Sequence, residues 1–219
     1  MILLAIDSST EHGGIALWRD GEVTETIVHS PDGFAHVLFV ELERLLAQCG
    51  VDLTHIDAFA AASGPGSFTG VRVALSAAKG FGEAFGKPVF AISNLRAMAA
   101  HGSAPIRAAI LDARRGEIYG GLYDAALQPL REEAVMLLQP WLDSLPATFP
   151  APTVELLCPY PERFPELSAR RVTTAPHAVA RAVAHLAAEQ YRAGERPHPA
   201  ASDANYVRRS DAELNWREA

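Results

Sequence analysis

The stretch ASGPGSFTGVRVALSAAKG, residues 62–80, joins a short apolar segment to a helical pattern through a glycine-rich loop. The loop has the spacing Gly64-x-Gly66-x-x-x-Gly70, and we predict Thr69 as the cap of the helix that follows. Backbone N–H groups at such a helix start can hold an anion. The same loop can instead be a tight turn that lets a strand and a helix pack closely. No Lys follows Gly70, which excludes a Walker A loop, and the other two interpretations stay open.

The segments around this loop alternate between strand-like and helical patterns. The apolar run at residues 2–6 predicts a buried strand, and Asp20-Gly21 between two further runs predicts a β-hairpin. Helices are predicted over residues 35–49, with Asp32 as the N-cap, and over residues 69–85. This alternation is typical of the α/β class.

Both predicted helices carry surfaces that one buried face does not explain. The helix over residues 35–49 has an apolar arc made of Leu38, Phe39, Leu42, Leu45, Leu46 and Cys49. The helix over residues 69–85 is rich in Gly and Ala, although each Gly costs about 1 kcal/mol of helix propensity. A second packing partner would explain the wide arc and the small residues alike.

The second half of the chain repeats features of the first. A strand, an acid and a Gly-Gly strand recur in order, with Asp7 over Asp112 and Gly13-Gly14 near Gly120-Gly121. We interpret this repeat as an internal duplication. It predicts an N-terminal lobe over residues 1–104 and a smaller, degenerate lobe over residues 105–219.

Composition limits the class of protein. The chain has 219 residues and a net charge of −7, which argues against a broad phosphate-binding face. Cys49 and Cys158 are isolated, so no disulfide framework is expected. No apolar stretch reaches the roughly 20 residues of a membrane span, and the first residues resemble a strand and not a signal peptide. We therefore expect a cytoplasmic protein.

The histidines give no spacing that is typical of a metal site. They are His12, His29, His36, His55, His101, His177, His185 and His198. No pair has HxxxH or HxH spacing, so we predict no metal. His177 and His185 are predicted on a helix over residues 175–195. No GxSxG motif or partnered Cys indicates a nucleophile.

Asp7-Ser8-Ser9-Thr10 follows the first predicted strand and resembles the first phosphate loop of the actin, Hsp70 and sugar-kinase superfamily. In that superfamily an Asp helps to position a metal-bound phosphate, while hydroxyl and backbone groups contact its oxygens. A solvated turn is an equally good interpretation of the motif alone. The second copy reads Asp112-Ala113-Arg114-Arg115 and lacks the hydroxyls, which argues against complete ATPase chemistry.

Four segments together resemble the TsaB (YeaZ) family of tRNA threonylcarbamoyladenosine biosynthesis proteins: AIDSST, SGPGSFTGVRVALSAAKG, LDARRGEIY and NYVRRSDAEL. The resemblance implies two duplicated actin-like lobes of the ASKHA, RNase H-like type, the second reduced. It also implies a non-catalytic subunit. Such a subunit works with the ATPase TsaE and scaffolds and activates TsaD, which transfers a threonylcarbamoyl group to N6 of the adenosine after the anticodon in tRNAs that read codons beginning with adenine.

The resemblance also assigns roles to particular residues. TsaD carries a metal-binding HxxxH motif, and the matching positions here are Asn94 and Met98, which are poor ligands. A vestigial or shared nucleotide loop would comprise Asp7, Ser8, Ser9, Thr10, Gly64, Gly66, Ser67, Thr69 and Gly70. The helical-bundle interface with TsaD would use Val37, Leu38, Glu41, Leu45, Val73, Ala77, Gly80 and Ala84.

Other expectations concern cofactors and competing functions. The chain is expected to have no cofactor of its own, with any ATP or ADP held at the complex interface. It would contact tRNA indirectly and could form a homodimer when TsaD is absent, because an isologous patch can pair with itself. The alternatives are an ATP-dependent small-molecule kinase of the same superfamily and a peptidase.

Overall fold

The computed structural model describes residues 1–31, 33–145 and 153–208. The predicted cap Asp32, Arg209 and the segment after it lie outside these residues. The first sheet contains β1 (Ile2–Asp7), β2 (His12–Arg19), β3 (Glu22–His29), β4 (Ala58–Ala62) and β5 (Val89–Ile92). Its strand order is β3-β2-β1-β4-β5, with β1 antiparallel to β2 and parallel to β4. Asp20 and Gly21 both have positive φ, which confirms the predicted hairpin turn between β2 and β3.

The second sheet repeats the first in topology. It contains β6 (Ile106–Arg114), β7 (Glu117–Asp124), β8 (Pro129–Leu137), β9 (Val154–Cys158) and β10 (Val172–Thr174). Its order is β8-β7-β6-β9-β10, with β6 antiparallel to β7 and parallel to β9. The matching order confirms the predicted α/β fold of two duplicated lobes.

The helices are α1 (Leu38–Cys49), α2 (Phe68–Phe85), α3 (Asn94–Ala99), α4 (Leu138–Asp143) and α5 (Ala180–Arg192). The prediction that Thr69 caps α2 is wrong: Ser67 is the N-cap, and its hydroxyl accepts a hydrogen bond from Gly70 N–H. The second lobe is the reduced one, because α4 has 6 residues where α1 has 12. Among the described helices, none combines the length and apolar character that crossing a membrane requires.

Each face of the first sheet is covered by a different part of the chain. Helices α1 and α2 cover one face, where Leu38, Leu45 and Ala78 pack with Ile6 and Phe59. Helix α5 covers the other face, although it lies far along the sequence in the predicted second lobe. Its buried residues Val183 and Leu186 belong to the same cluster as Leu3, Ala5 and Trp18 of the first sheet.

Helix α3 makes the reciprocal contact. It follows the first sheet in sequence, but Leu95, Met98 and Ala99 pack with Ala109 and Leu157 of the second sheet. The last helix of each repeat, α3 or α5, therefore lies against the sheet of the other repeat. The division at residues 104 and 105 stays a prediction, and these contacts show that the two segments interlock through α3 and α5.

A substitution in α5 tests this arrangement. Leu186 is 3% exposed and packs on the first sheet, so Leu186→Ala should lower the free energy of unfolding by about 2–5 kcal/mol. Glu189 is exposed on the same helix, and Glu189→Ala should change it by no more than about 0.5 kcal/mol. Urea unfolding followed by circular dichroism measures both. Equal, small effects would contradict the packing of α5 on the sheet.

Candidate functional site

A cleft of about 1450 Å³ lies between the two sheets. Its lining includes residues 8–11, 33–35, 65–73, 111–115, 158–160 and 205–208. The two loops singled out from the sequence therefore meet at one side of a single cleft. The loop after β6, which is the degenerate second copy, faces them from the other sheet.

Asp7 ends β1, but its carboxylate is turned into the protein. The residue is 1% exposed, and it is absent from the lining of the cleft. One carboxylate oxygen accepts hydrogen bonds from Ser9 N–H at 3.0 Å and Ser9 Oγ at 2.6 Å. The other accepts from Val179 N–H at 2.8 Å, immediately before α5. Burial raises the pKa of Asp7, while the hydrogen bonds from Ser9 and Val179 oppose that shift.

The glycine-rich loop packs directly on this first loop. Ser67 N–H donates to Ser9 O at 2.7 Å, and Ser8 Oγ donates to Gly70 O at 2.7 Å. A Cβ atom on Gly70 would lie 1.9 Å from Ser8 O, and one on Gly66 would lie 2.7 Å from Ser9 O. Two of the glycines are thus required by the close approach of two backbones. This geometry supports the tight-turn interpretation.

Some loop groups nevertheless face the cleft. Ser67, Phe68 and Thr69 are exposed, and they line the cleft together with Ser8 and Thr10. The backbone N–H groups of Gly64, Ser67, Gly70 and Val71 already have partners within the protein. The assignment of these loops to a nucleotide stays a prediction.

Asn94, the first residue of α3, is buried and connects the two loops from the protein interior. Its side-chain N–H donates to Ser9 Oγ at 2.6 Å, and its side-chain oxygen accepts from Gly64 N–H at 2.9 Å. Its own backbone N–H donates to Gly64 O. Asn94 and Met98 are 2% and 1% exposed. The amide of Asn94 is therefore committed to a structural role at the position where the resemblance places a metal ligand.

The opposite wall of the cleft is basic and includes residues that the sequence analysis did not single out as site residues. Arg114 and Arg115 form the β6–β7 turn with positive φ. Asp112 accepts from Arg114 N–H at 2.7 Å and lies 3.6 Å from the guanidinium of Arg163, which itself stacks on Tyr160. No sequence signal marks Arg163 or Tyr160, because contacts between distant segments bring them here.

The segment after α5 crosses between the sheets at this cleft. Asn205 N–H donates to Ser63 O at 2.7 Å, and Arg72 Nε donates to the Tyr206 hydroxyl at 2.8 Å. Arg208 donates to Ala113 O at 2.7 Å and pairs with Glu117. This segment, part of the NYVRR motif, therefore joins the glycine-rich loop side of the cleft to the β6–β7 hairpin.

The predicted interface residues divide into two groups. Leu38 and Leu45 are 1% and 0% exposed, so placing them at an interface is wrong, because both side chains are used in the core beneath α1. Accessible surface remains on five of the other predicted residues, namely Val37, Glu41, Val73, Ala77 and Ala84. Gly80 is also exposed, and a Cβ atom added there would meet no atom within 4 Å. The sequence analysis included Phe39 in the apolar arc without naming it as an interface residue, and it missed Val40; the two are 61% and 49% exposed on α1.

The close approach of the two loops gives a direct test. Gly70→Ala would force its new Cβ into Ser8 O, so it should lower the free energy of unfolding by about 2 kcal/mol or more. Gly80 lies in the same helix, and a Cβ added there would meet nothing within 4 Å, so Gly80→Ala should raise stability by up to about 1 kcal/mol. Thermal unfolding of both variants measures the difference. Similar stability of the two would contradict the loop contact.

Comparison with known proteins bears on this arrangement. Residues 32–155, more than half of the chain, match the family described as TsaD: tRNA N6-adenosine threonylcarbamoyltransferase. The chain is 38% identical over 128 residues to the tRNA threonylcarbamoyladenosine biosynthesis protein TsaB of Escherichia coli, covering 56% of this chain and 55% of that protein. It is 33% identical over 151 residues to TsaB of Bacillus subtilis, covering 66% of each.

The matched regions thus span about half to two thirds of the length of these curated relatives. Among solved structures, YeaZ from Pseudomonas aeruginosa superimposes with a TM-score of 0.79 at 27% identity, covering 94% of this chain and 100% of that one. The family match includes the glycine-rich loop and helix α2, and the similarity in structure extends over both sheets. The chain therefore belongs to the TsaB (YeaZ) family, which shares the actin-like fold of the TsaD type.

Proposed function

We propose that this protein is a non-catalytic subunit in the biosynthesis of threonylcarbamoyladenosine in tRNA, where it supports a TsaD-type transferase. The observation that carries the proposal is the commitment of Asp7 and Asn94 to internal hydrogen bonds. These are the positions at which an active member of the superfamily would need a phosphate-positioning acid and a metal ligand. The names of the TsaB relatives supply the pathway.

The partner surface in this proposal is the outer face of α1 and α2. Phe39 and Val40 expose apolar area on α1, and the Phe39 ring meets Phe81 of α2 edge-on, with centroids 6.3 Å apart. Gly80 and Ala84 continue this face as small, exposed residues. Small residues let a second helix pair approach closely, and exposed aromatic residues supply buried area when it docks.

The proposal includes the other members of the complex. A TsaE-type ATPase acts with the pair, any ATP or ADP lies at the complex interface, and tRNA is contacted through the transferase. Without the transferase, the same α1–α2 face pairs two copies of this chain, since a self-complementary patch suffices for a two-fold dimer. The setting is the cytoplasm, where tRNA is modified.

Reconstitution tests the role in the pathway. Purified TsaD-type and TsaE-type subunits, threonylcarbamoyl-adenylate and unmodified tRNA should give little modified adenosine without this chain and abundant product with it. Nucleoside analysis by mass spectrometry measures the product. Equal product in both reactions would contradict the proposal.

A surface variant tests the interface. Phe39→Asp places a charge on the exposed apolar face and should weaken binding to the TsaD-type subunit by roughly tenfold or more, about 1.4 kcal/mol. Leu130 is 42% exposed on β8, away from α1 and α2, and Leu130→Asp is the matched control that should bind normally. Both variants should retain the circular dichroism of the parent chain. Equal binding by both would place the interface elsewhere.

A kinase of the same superfamily is the second candidate, and the cleft is the observation that favours it. Ser8, Thr10 and Ser67 line one side of the cleft, and Arg114 and Arg115 line the other, so anionic ligands would find partners there. Calorimetry with ATP and Mg²⁺ on the isolated chain separates the two functions. Tight binding with turnover would favour the kinase, and the scaffold proposal expects neither.

The peptidase alternative has less support in the structure. Cys158 is buried, and burial raises the pKa of its thiol to about 11, so it is protonated near neutral pH and is a poor nucleophile. One solved relative is described as similar to the peptidase YeaZ. A broad peptide-cleavage screen should detect no hydrolysis by this chain.

A further inference from the structure

Three histidines that are distant in sequence form a cluster beside the cleft. His12 begins β2 and His29 ends β3, and the two residues are directly opposite each other in the antiparallel pair. Their rings stack with centroids 4.6 Å apart. His177 also stacks on His12, at 4.8 Å, and it lies in the loop before α5, so its predicted place on a helix is wrong.

Two polar residues complete the surroundings of this cluster. Glu11 precedes His12 at the end of the first loop, and the Tyr160 hydroxyl lies 3.5 Å from both Glu11 Oε1 and His12 Nδ1. The Tyr160 ring stacks on His177 at 4.4 Å. Four segments of the chain therefore converge here: the first loop with β2, the end of β3, the loop after β9 and the loop before α5.

We propose that Glu11, His12 and His29 bind a divalent transition-metal ion, with Zn²⁺ as the best match. One ligand atom from each of the three residues lies within 4.8 Å of the other two, so small side-chain rotations bring them to the separations that a single ion needs. Two imidazoles and one carboxylate suit a borderline ion such as Zn²⁺ better than Mg²⁺. His177 is the nearest further imidazole and is available as a fourth ligand.

The placement of the residues supports binding in two ways. Cross-strand neighbours project from the same side of a sheet, so the register of β2 and β3 holds His12 and His29 together without any ligand. Glu11, His29 and His177 are exposed and His12 is partly exposed, so an ion can enter from solvent.

An ion at this site would fix the β2–β3 hairpin to the first loop and, through His177, to the start of α5. Thr10 Oγ1 already donates to His177 O at 3.4 Å, and Val179 N–H donates to Asp7. The site thus lies on the junction that α5 makes with the first sheet. Because an ion that binds only the folded chain stabilises it, Zn²⁺ should raise the melting temperature.

The experiment is calorimetric titration of the full, tag-free chain with Zn²⁺ after treatment with a chelator. We expect one ion per chain, a raised melting temperature with Zn²⁺, and no binding of Mg²⁺. His29→Ala removes a ligand and should weaken Zn²⁺ binding by roughly tenfold or more. His185 is exposed on α5 outside the cluster, and His185→Ala is the matched control that should bind as the parent does.

Glu11→Gln keeps the size of an exposed side chain and serves as a second variant if His29→Ala folds poorly. It should also weaken Zn²⁺ binding while leaving the circular dichroism spectrum unchanged. Absence of saturable Zn²⁺ binding by the parent chain would overturn the proposal. Equal Zn²⁺ affinity in the parent, Glu11→Gln and His29→Ala would overturn it as well, and the cluster would then be a stack of rings that serves packing alone. The assay needs neither tRNA nor a transferase, so its outcome is independent of the proposed function.

Discussion

The buried carboxylate of Asp7 is the constraint on which the arrangement of both loops depends. An ionised carboxyl group removed from water must be hydrogen-bonded or it destabilises the fold. Ser9 in the adjacent loop provides two of those bonds, and the backbone of Val179, just before α5, provides the third. Asn94 extends the network by donating to Ser9 and accepting from Gly64. The first loop, the glycine-rich loop, α3 and α5 are therefore fixed by one connected set of polar groups.

This network has a functional consequence because its polar groups are the ones that phosphate or metal chemistry would need. A carboxylate that already accepts three hydrogen bonds is a weak candidate for positioning an external ion. The backbones of Gly66 and Gly70 likewise lie in close contact with the backbones of Ser9 and Ser8, which leaves no room for a side chain at either glycine. These groups of the two loops are therefore used in internal packing, which is consistent with the proposed partner surface on the outer face of α1 and α2.

The exchange of α3 and α5 between the repeats explains why the two halves act as one structure. Each sheet has an apolar face that its own repeat does not cover, and the last helix of the other repeat, α5 or α3, buries it. Duplication alone would give two similar units side by side. The segment that follows α5 is also placed, through Asn205 and Arg208, across the cleft between the sheets.

The sequence by itself determined the first strand, the Asp20-Gly21 hairpin, the duplicated order of elements and the family. These features depend on local periodicity, on turn residues with positive φ and on short motifs, and each of these involves residues that are close together in the sequence. It also indicated that α1 and α2 carry more apolar surface than one core needs. It misassigned Leu38 and Leu45, because a helical pattern gives the apolar arc but not which part of that arc faces the sheet.

Only the tertiary structure decided which contacts Asp7 and the clustered histidines make. The sequence could not pair Asp7 with Val179, or His12 with His29 and His177, since those contacts join segments far apart in the chain. Strand register and the crossing of α5 onto the first sheet create them. The physical reason is that hydrogen bonding and ring stacking are short-range, so a residue's partners are fixed by where the backbone brings it and not by its neighbours in sequence.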